Sequence, residues 1–257
     1  AHIFCTPMQV KQEFSKVMRL VETSYSTLGI TDYSYRLSLR DTNDRDKYVE
    51  GDSMWDMAEQ MLREAMTELN LDYDEAPGEA AFYGPKLDIQ VRDVLGREET
   101  FSTIQIDFHL PNQFDLSFVD QDGQSHRPVI IHRGVLSTME RLVAYLIELY
   151  GGAFPTWLSP VQAVVVSIAD RHISYAENVR SQLLKAGIRV EADTRNERMN
   201  SKIREAQLQK VPYMLIVGDR EEKSDSVSVR LRSGDDLGAI PVQELASRIV
   251  AETERYE

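Results

Sequence analysis

RPVIIHRGVLSTMERLVAYLIELYGG, residues 127–152, carries the clearest architectural signal in the chain: an apolar β-branched run, PVIIH, passes directly into a helical pattern. Val135, Met139, Leu142, Val143, Leu146, Ile147 and Tyr150 follow the i, i+3, i+4, i+7 rule of an amphipathic helix, with Met139 inside the buried stripe. Gly151 is its natural C-cap. Arg141 lies two residues beyond Met139, about 200° around the helix, and therefore points away from that stripe. Upstream, helices over 7–28 and 53–70 flank the polar segment 40–51, and strands over 71–75, 86–93, 99–108, 115–119 and 128–132 follow in succession. Strands in runs, not alternating with helices, predict an antiparallel sheet.

Downstream of the Gly151-Gly152 seam the pattern changes. VQAVVVSI (161–168) reads as a buried strand, followed by a helix over 173–186, a strand over 188–193, a helix over 200–210, strands over 212–219 and 226–232, and a final helix over 241–256. Strands alternating with helices predict an α/β unit with a mixed, largely parallel sheet covered on both faces. The expected organisation is one domain over residues 1–151, a linker over 152–160 and a second domain over 161–257.

Composition narrows the classes. Of 257 residues, 42% are hydrophobic and 28% charged, which are globular proportions that exclude disordered and collagen-like chains. The single cysteine, Cys5, excludes an intramolecular disulfide and favours a cytoplasmic location. No apolar run approaches the length of a membrane span. The net charge of −13 argues against a general nucleic-acid coat. From Pro160 onward, however, 15 Lys and Arg face 16 Asp and Glu, leaving 14 against 26 before it. An RNA-contacting surface is electrostatically easier in the second part.

Several constellations bear on chemistry. Arg141 reads either as a solvated charge or as a planar cation for a nucleotide. In AAFYGPK (80–86), a Gly-Pro bend puts Tyr83 and Lys86 near the start of a strand, either as surface groups or as lining of a cleft. Thr103, Gln105 and Asp107 alternate with Ile104, Ile106 and Phe108, forming a polar row on one strand face. His2 and His132 adjoin apolar strand-like runs, but their separation offers no zinc spacing. P-loop, G-x-G-x-x-G and nucleophile-elbow patterns are absent, so ATP, if bound, is bound by another scheme.

FYGPKLDI (82–89), STIQIDFHLP (102–111), RPVIIHRGVLSTMER (127–141), GAFPTWLSPVQ (152–162) and AGIRVEADTRNERMNSKIREAQLQKVPYMLIVGD (186–219) resemble the C-terminal part of the threonyl-tRNA synthetases, a class II aminoacyl-tRNA synthetase family. GVLSTMER is similar to class II motif 3, the segment after Pro160 to the anticodon-binding domain, and AHIFC to the strand after motif 2.

The resemblance implies ATP-dependent activation of L-threonine and its transfer to tRNA(Thr). It implies Arg141 as the motif 3 arginine on adenine and the terminal phosphate of ATP, and Lys86 beside the reacting carboxylate and phosphate. Tyr83, Gln105 and Thr138 are the implied pocket contacts. His2 and His132 are implied as two ligands of a catalytic Zn2+ whose third ligand is a Cys outside this chain, and Mg2+ is expected with ATP. Asn196, Glu221 and Arg230 match anticodon-reading positions, and a homodimer is implied for the full-length enzyme. Motifs 1 and 2 and the editing module have no counterpart here, so the chain is expected to be a fragment inactive on its own. Glu99-Thr100-Phe101-Ser102 departs from the Gln-Cys-Gly many members carry at 100–102. The competing reading is a noncatalytic tRNA-binding or regulatory module built from synthetase parts.

Overall fold

The computed structural model describes residues 1–256, and their contacts divide them into two units, Ala1–Tyr145 and the residues from Leu146 onward. The first unit runs β1 (His2–Cys5), a 3-10 turn (Pro7–Gln9), α1 (Val10–Thr27), β2 (Tyr33–Leu39), α2 (Asp52–Glu68), β3 (Tyr73–Pro77), β4 (Lys86–Arg92), β5 (Glu98–Asp107), α3 (His109–Gln113), β6 (Phe118–Val119), β7 (Ser125–His126) and β8 (Val129–Gly134). Helix α4 (Met139–Tyr150) continues across the division.

Six strands form one sheet in the order β1-β8-β5-β4-β2-β3, while β6 and β7 form a separate hairpin. Helix α1 buries Val10, Phe14, Val17, Met18, Val21 and Tyr25, and α2 buries Trp55, Ala58, Leu62, Ala65 and Met66. Both spacings are those of one helical face. The sheet's apolar face supplies Leu37, Leu87, Ile89, Ile104, Ile106 and Ile131, none more than 1% exposed. A buried polar bond crosses this layer, Tyr25 Oη to Ser102 Oγ at 2.6 Å.

Two features depart from the sequence reading. The strand β2 is unpredicted, because YSYRLSL places leucine on its apolar face only at Leu37 and Leu39. Its pairing with β3 is also parallel, within an otherwise antiparallel sheet. The reason is α2, which lies between β2 and β3 and provides the crossover that parallel neighbours require.

The second unit contains β9 (Ala163–Ser167), α5 (Ile173–Lys185), β10 (Val190–Asp193), α6 (Met199–Leu208), β11 (Tyr213–Val217), α7 (Asp219–Lys223), β12 (Ser226–Leu231), β13 (Asp236–Pro241) and α8 (Val242–Glu254). Its sheet order is β10-β9-β11-β12-β13. The first three strands are parallel and the last two antiparallel, so the sheet is mixed, with parallel and antiparallel pairings in equal number. Helices α5 and α6 are long enough to cross over, whereas the five-residue α7 is not, and β12 returns antiparallel. Val179, Leu183, Leu245 and Ile249 pack on one sheet face, and Ile203 and Ala206 on the other. Residues 154–162 are bound to this unit: Thr156 Oγ1 donates to Glu252 at 2.5 Å, and Arg189 donates to the Ser159 and Trp157 carbonyls.

The α4 stripe is not buried as expected. Met139 is 70% exposed, Val143 44% and Ile147 48%, and Leu146 is the one buried residue of the helix. Periodicity identifies an amphipathic helix without saying what covers its apolar side. Among the described residues no helix is long and apolar enough to cross a membrane.

Gly84 is sterically required. A Cβ there would lie 2.0 Å from the Ile106 carbonyl oxygen, since the bend that presents Tyr83 and Lys86 is pressed against β5. Gly84→Ala is expected to destabilise the first unit by about 1–3 kcal/mol, as overpacking against backbone does. A urea midpoint unchanged from the parent chain would refute this packing argument.

Candidate functional site

Antiparallel register assembles the predicted residues of the first unit into a row. His2 lies opposite His132, His132 opposite Gln105, Gln105 opposite Lys86, and Lys86 opposite Ser38. Directly opposed residues project to the same face. Five strands spaced by about 4.8 Å make this a line of roughly 19 Å. The neighbouring positions Ile131, Ile106, Leu87 and Leu37 are on the other face, in the core.

Side-chain contacts join the row. The His2 and His132 rings stand edge to face, with centroids 4.8 Å apart. Tyr83 lies 5.4 Å from the His132 ring, and its hydroxyl donates to Gln105 Oε1. Burial holds the Tyr83 hydroxyl above its ordinary pKa, with a smaller contribution from the Asp107 carboxylate, so it remains a donor. Lys86 Nζ is paired with Asp88 Oδ2, which also accepts from Ser38 Oγ at 2.8 Å.

Asp107, legible in the sequence only as a member of the polar row, belongs to this cluster. It is fully buried. Its Oδ1 accepts the His109 and Leu110 backbone N–H groups at 2.8 and 2.9 Å, and its Oδ2 lies 2.8 Å from His132 Nε2. The carboxylate therefore fixes the imidazole while capping the start of α3. Its place in the polar row with Thr103 and Gln105 was the available signal; its burial was not readable from alternation. Asp88 was missed for the same reason.

Arg141 and Thr138 stand apart from this row. Both are exposed, and the contact recorded between them is the Arg141 backbone N–H to Thr138 Oγ1 at 3.4 Å. The preceding Ser137 adopts φ +57°, a left-handed conformation of the strained kind found at functional turns.

The two imidazoles fit two of the ligand positions of a zinc site. A catalytic zinc takes three protein ligands, and no group of three or more His, Cys, Asp or Glu able to hold a metal occurs among the described residues. Cys5 is excluded geometrically, because it lies three residues along β1 from His2, an odd offset that sends it to the opposite face. Its thiol is buried and pushed up to about 11 by desolvation, with the Glu13 charge adding to the effect.

In the second unit the parallel strands β9 and β11 end beside a cavity of about 530 Å³ lined by Ile168, Arg171, His172, Asp219, Glu221 and Arg230, among others. Strand order reverses across β9, with β10 on one side and β11 on the other. Ligands of open α/β sheets bind at such switch points, beyond the carboxyl ends of the strands. Glu221 and Arg230 are thus brought together. Asn196, in the exposed loop after β10, is not among the lining residues.

The pattern of the family described as tRNA synthetase class II core domain (G, H, P, S and T) matches residues 1–150, and that of the anticodon binding domain matches residues 162–252. The chain belongs to the class II tRNA synthetase core family. Within that class its relatives include threonine–tRNA ligases. The protein of that name from Halalkalibacterium halodurans is 54% identical over 256 residues, 99% of this chain and 40% of the relative. That from Geobacillus kaustophilus is 58% identical over 231 residues, 90% of this chain and 35% of the relative. The chain thus spans less than half the length of the curated relatives it matches. The solved RNA binding domain of threonyl-tRNA synthetase from Cryptosporidium parvum superposes with a TM-score of 0.91 at 36% identity, covering 98% of this chain and 62% of that one. A putative threonyl-tRNA synthetase from Aeropyrum pernix gives 0.79 at 27% identity, covering 99% and 63%.

The Cys5 thiol makes a prediction with a definite sign. Its folded pKa lies above its ordinary 9.0, so its contribution to stability is complete below pH 9 and lost as pH rises from 9.0 to about 11. At pH 8 the folded chain should alkylate with iodoacetamide on the order of 100-fold more slowly than the urea-unfolded chain. Equal rates would show that Cys5 is accessible on the site face.

Proposed function

We propose that this chain is part of a cytoplasmic threonine–tRNA ligase that activates L-threonine with ATP and transfers it to tRNA(Thr). The observation that carries the reading is the in-register row His2, His132, Gln105 and Lys86 on one face of the sheet. In this reading residues 1–151 belong to the catalytic domain, 152–160 join the domains, and 161–257 bind the anticodon. The full-length enzyme is a homodimer, and Mg2+ accompanies ATP.

Activation is an in-line attack of a threonine carboxylate oxygen on the α-phosphorus of ATP, which forms the acyl–phosphate bond of the adenylate as the bond to the β-phosphate breaks and pyrophosphate leaves; AMP leaves in turn when the threonyl group passes to a tRNA hydroxyl. Activation requires positioning and charge neutralisation more than a general base. Lys86, fixed by Asp88, whose carboxylate is itself held by Ser38, offers its ammonium to the reacting carboxylate and phosphate. Arg141, exposed on the first turn of α4, offers a planar cation to adenine and the terminal phosphate. Tyr83 and Gln105, hydrogen-bonded to each other, orient the amino acid, and Thr138 adds a hydroxyl at the helix start.

His2 and His132 would hold a zinc ion, with a cysteine outside this chain as third ligand. Bound there, zinc is a Lewis acid that a threonine hydroxyl can ligate and a valine methyl cannot, which gives discrimination that shape alone does not. Asp107 would keep the His132 ring in the orientation its metal-facing nitrogen needs. In the second unit, Glu221, Arg230 and Asn196 read unstacked anticodon bases through their edges.

The test uses a full-length enzyme carrying this sequence. His132→Ala should lower bound zinc from about one equivalent to near zero by elemental analysis. Lys86→Ala and Arg141→Ala should each lower the rate of threonine-dependent pyrophosphate exchange by roughly 100-fold or more while leaving zinc in place. Zinc retained by the His132 variant would remove the metal site, and exchange unaffected by both cation variants would remove the catalytic reading.

A further inference from the structure

The cavity at the strand ends of the second unit depends on a helix too short to hold itself. Helix α7 has five residues, well below the length at which isolated helices persist in water. It nevertheless carries Glu221, whose Oε2 accepts the Gly218 backbone N–H at 3.1 Å. Glu221 Oε1 makes no hydrogen bond among the described residues, so it is the oxygen available to a ligand in the cavity. The aim of that oxygen is set by whatever fixes the first turn of α7.

Asp219, the first residue of α7, is held from the turn that follows β9. Arg171 grips it with two bonds, Nε to Oδ1 at 3.0 Å and a terminal nitrogen to Oδ2 at 2.7 Å. His172 adds a third contact, Nε2 to Oδ1 at 3.0 Å. The His172 ring is 1% exposed, and its Nδ1 is buried without a partner, so Asp219 is the one polar anchor of a side chain locked in place. Arg171 and then His172 hold the Asp219 carboxyl well below the usual carboxylate range. All these residues line or adjoin the cavity.

We infer that Arg171, His172 and Asp219 form a positioning clamp that aims Glu221 at an RNA base, and so are specificity-determining residues that need not touch the base. The inference rests on the anticodon-reading role proposed for Glu221. It separates two consequences of mutation: loss of the clamp relaxes the choice between bases, whereas loss of RNA-binding charge weakens all RNAs alike.

The experiment uses the whole 257-residue chain and two stem-loop RNAs, one with a threonine anticodon and one with a single anticodon base changed. The quantity read is the ratio of the two dissociation constants. Asp219→Ala is expected to lower that ratio about tenfold, with a lowered melting temperature because it also removes the hydrogen-bond partner of the buried His172 ring. Arg171→Ala is expected to lower the ratio in the same direction with thermal melting unchanged, because that side chain is exposed. In the Glu221→Ala background, Asp219→Ala should cause no further loss, since the clamp acts through Glu221. A ratio that falls in Glu221→Ala but not in Asp219→Ala would overturn the clamp and leave the base-reading role standing. Losses that multiply in the double variant would also overturn it, by showing independent action. A parent chain that does not distinguish the RNAs would overturn the reading of Glu221 and the clamp with it.

Discussion

The antiparallel pairing of β1, β8, β5 and β4 is the constraint on which the first unit depends. Strand side chains alternate with a period of two, so a one-residue slip would exchange the two faces. His132, Gln105 and Lys86 would then enter the layer where Ile131, Ile106 and Leu87 are now fully buried. The cost of burying a lysine, an imidazole and an amide, together with exposing three large aliphatic side chains, makes the register strongly preferred. Core packing and site assembly are therefore one event: the helices that cover the apolar face also dictate which groups the polar face presents.

Several of these side chains are held by a neighbouring acidic group. Asp107 holds His132 and the start of α3 together, Asp88 links Lys86 to Ser38, and Asp219 joins Arg171 to His172. Flexible ends placed on rigid strands gain precision from such partners, because fewer rotamers remain to be lost when a ligand arrives. The second unit applies the same economy with different topology, setting its cavity where parallel strands diverge rather than along an antiparallel row.

Pattern reading recovered α1, α2, β4, β5 and most of the second unit because their apolar residues repeat strongly. It missed β2, whose sequence alternates tyrosine, serine and arginine with few aliphatics, and it missed β13, where Gly238 and Pro241 interrupt any strand signal. The β2–β3 pair came out parallel because a helix intervenes, a consequence of connectivity rather than of either strand. Met139, Val143 and Ile147 form an apolar stripe in sequence and an exposed one in space.

The sequence by itself determined which residues can bury together and, through the motifs around Tyr83, His132 and Arg141, the family to which the chain belongs. Periodicity and motif are local properties, and local order carries them. Tertiary structure alone decided that His2 meets His132 across a sequence separation of 130 residues, that Asp107 is buried beside the imidazole, and that Glu221 and Arg230 share a cavity without Asn196. Those relations arise from strand register and crossover order, which depend on the free energy of the whole sheet and are written in no single segment.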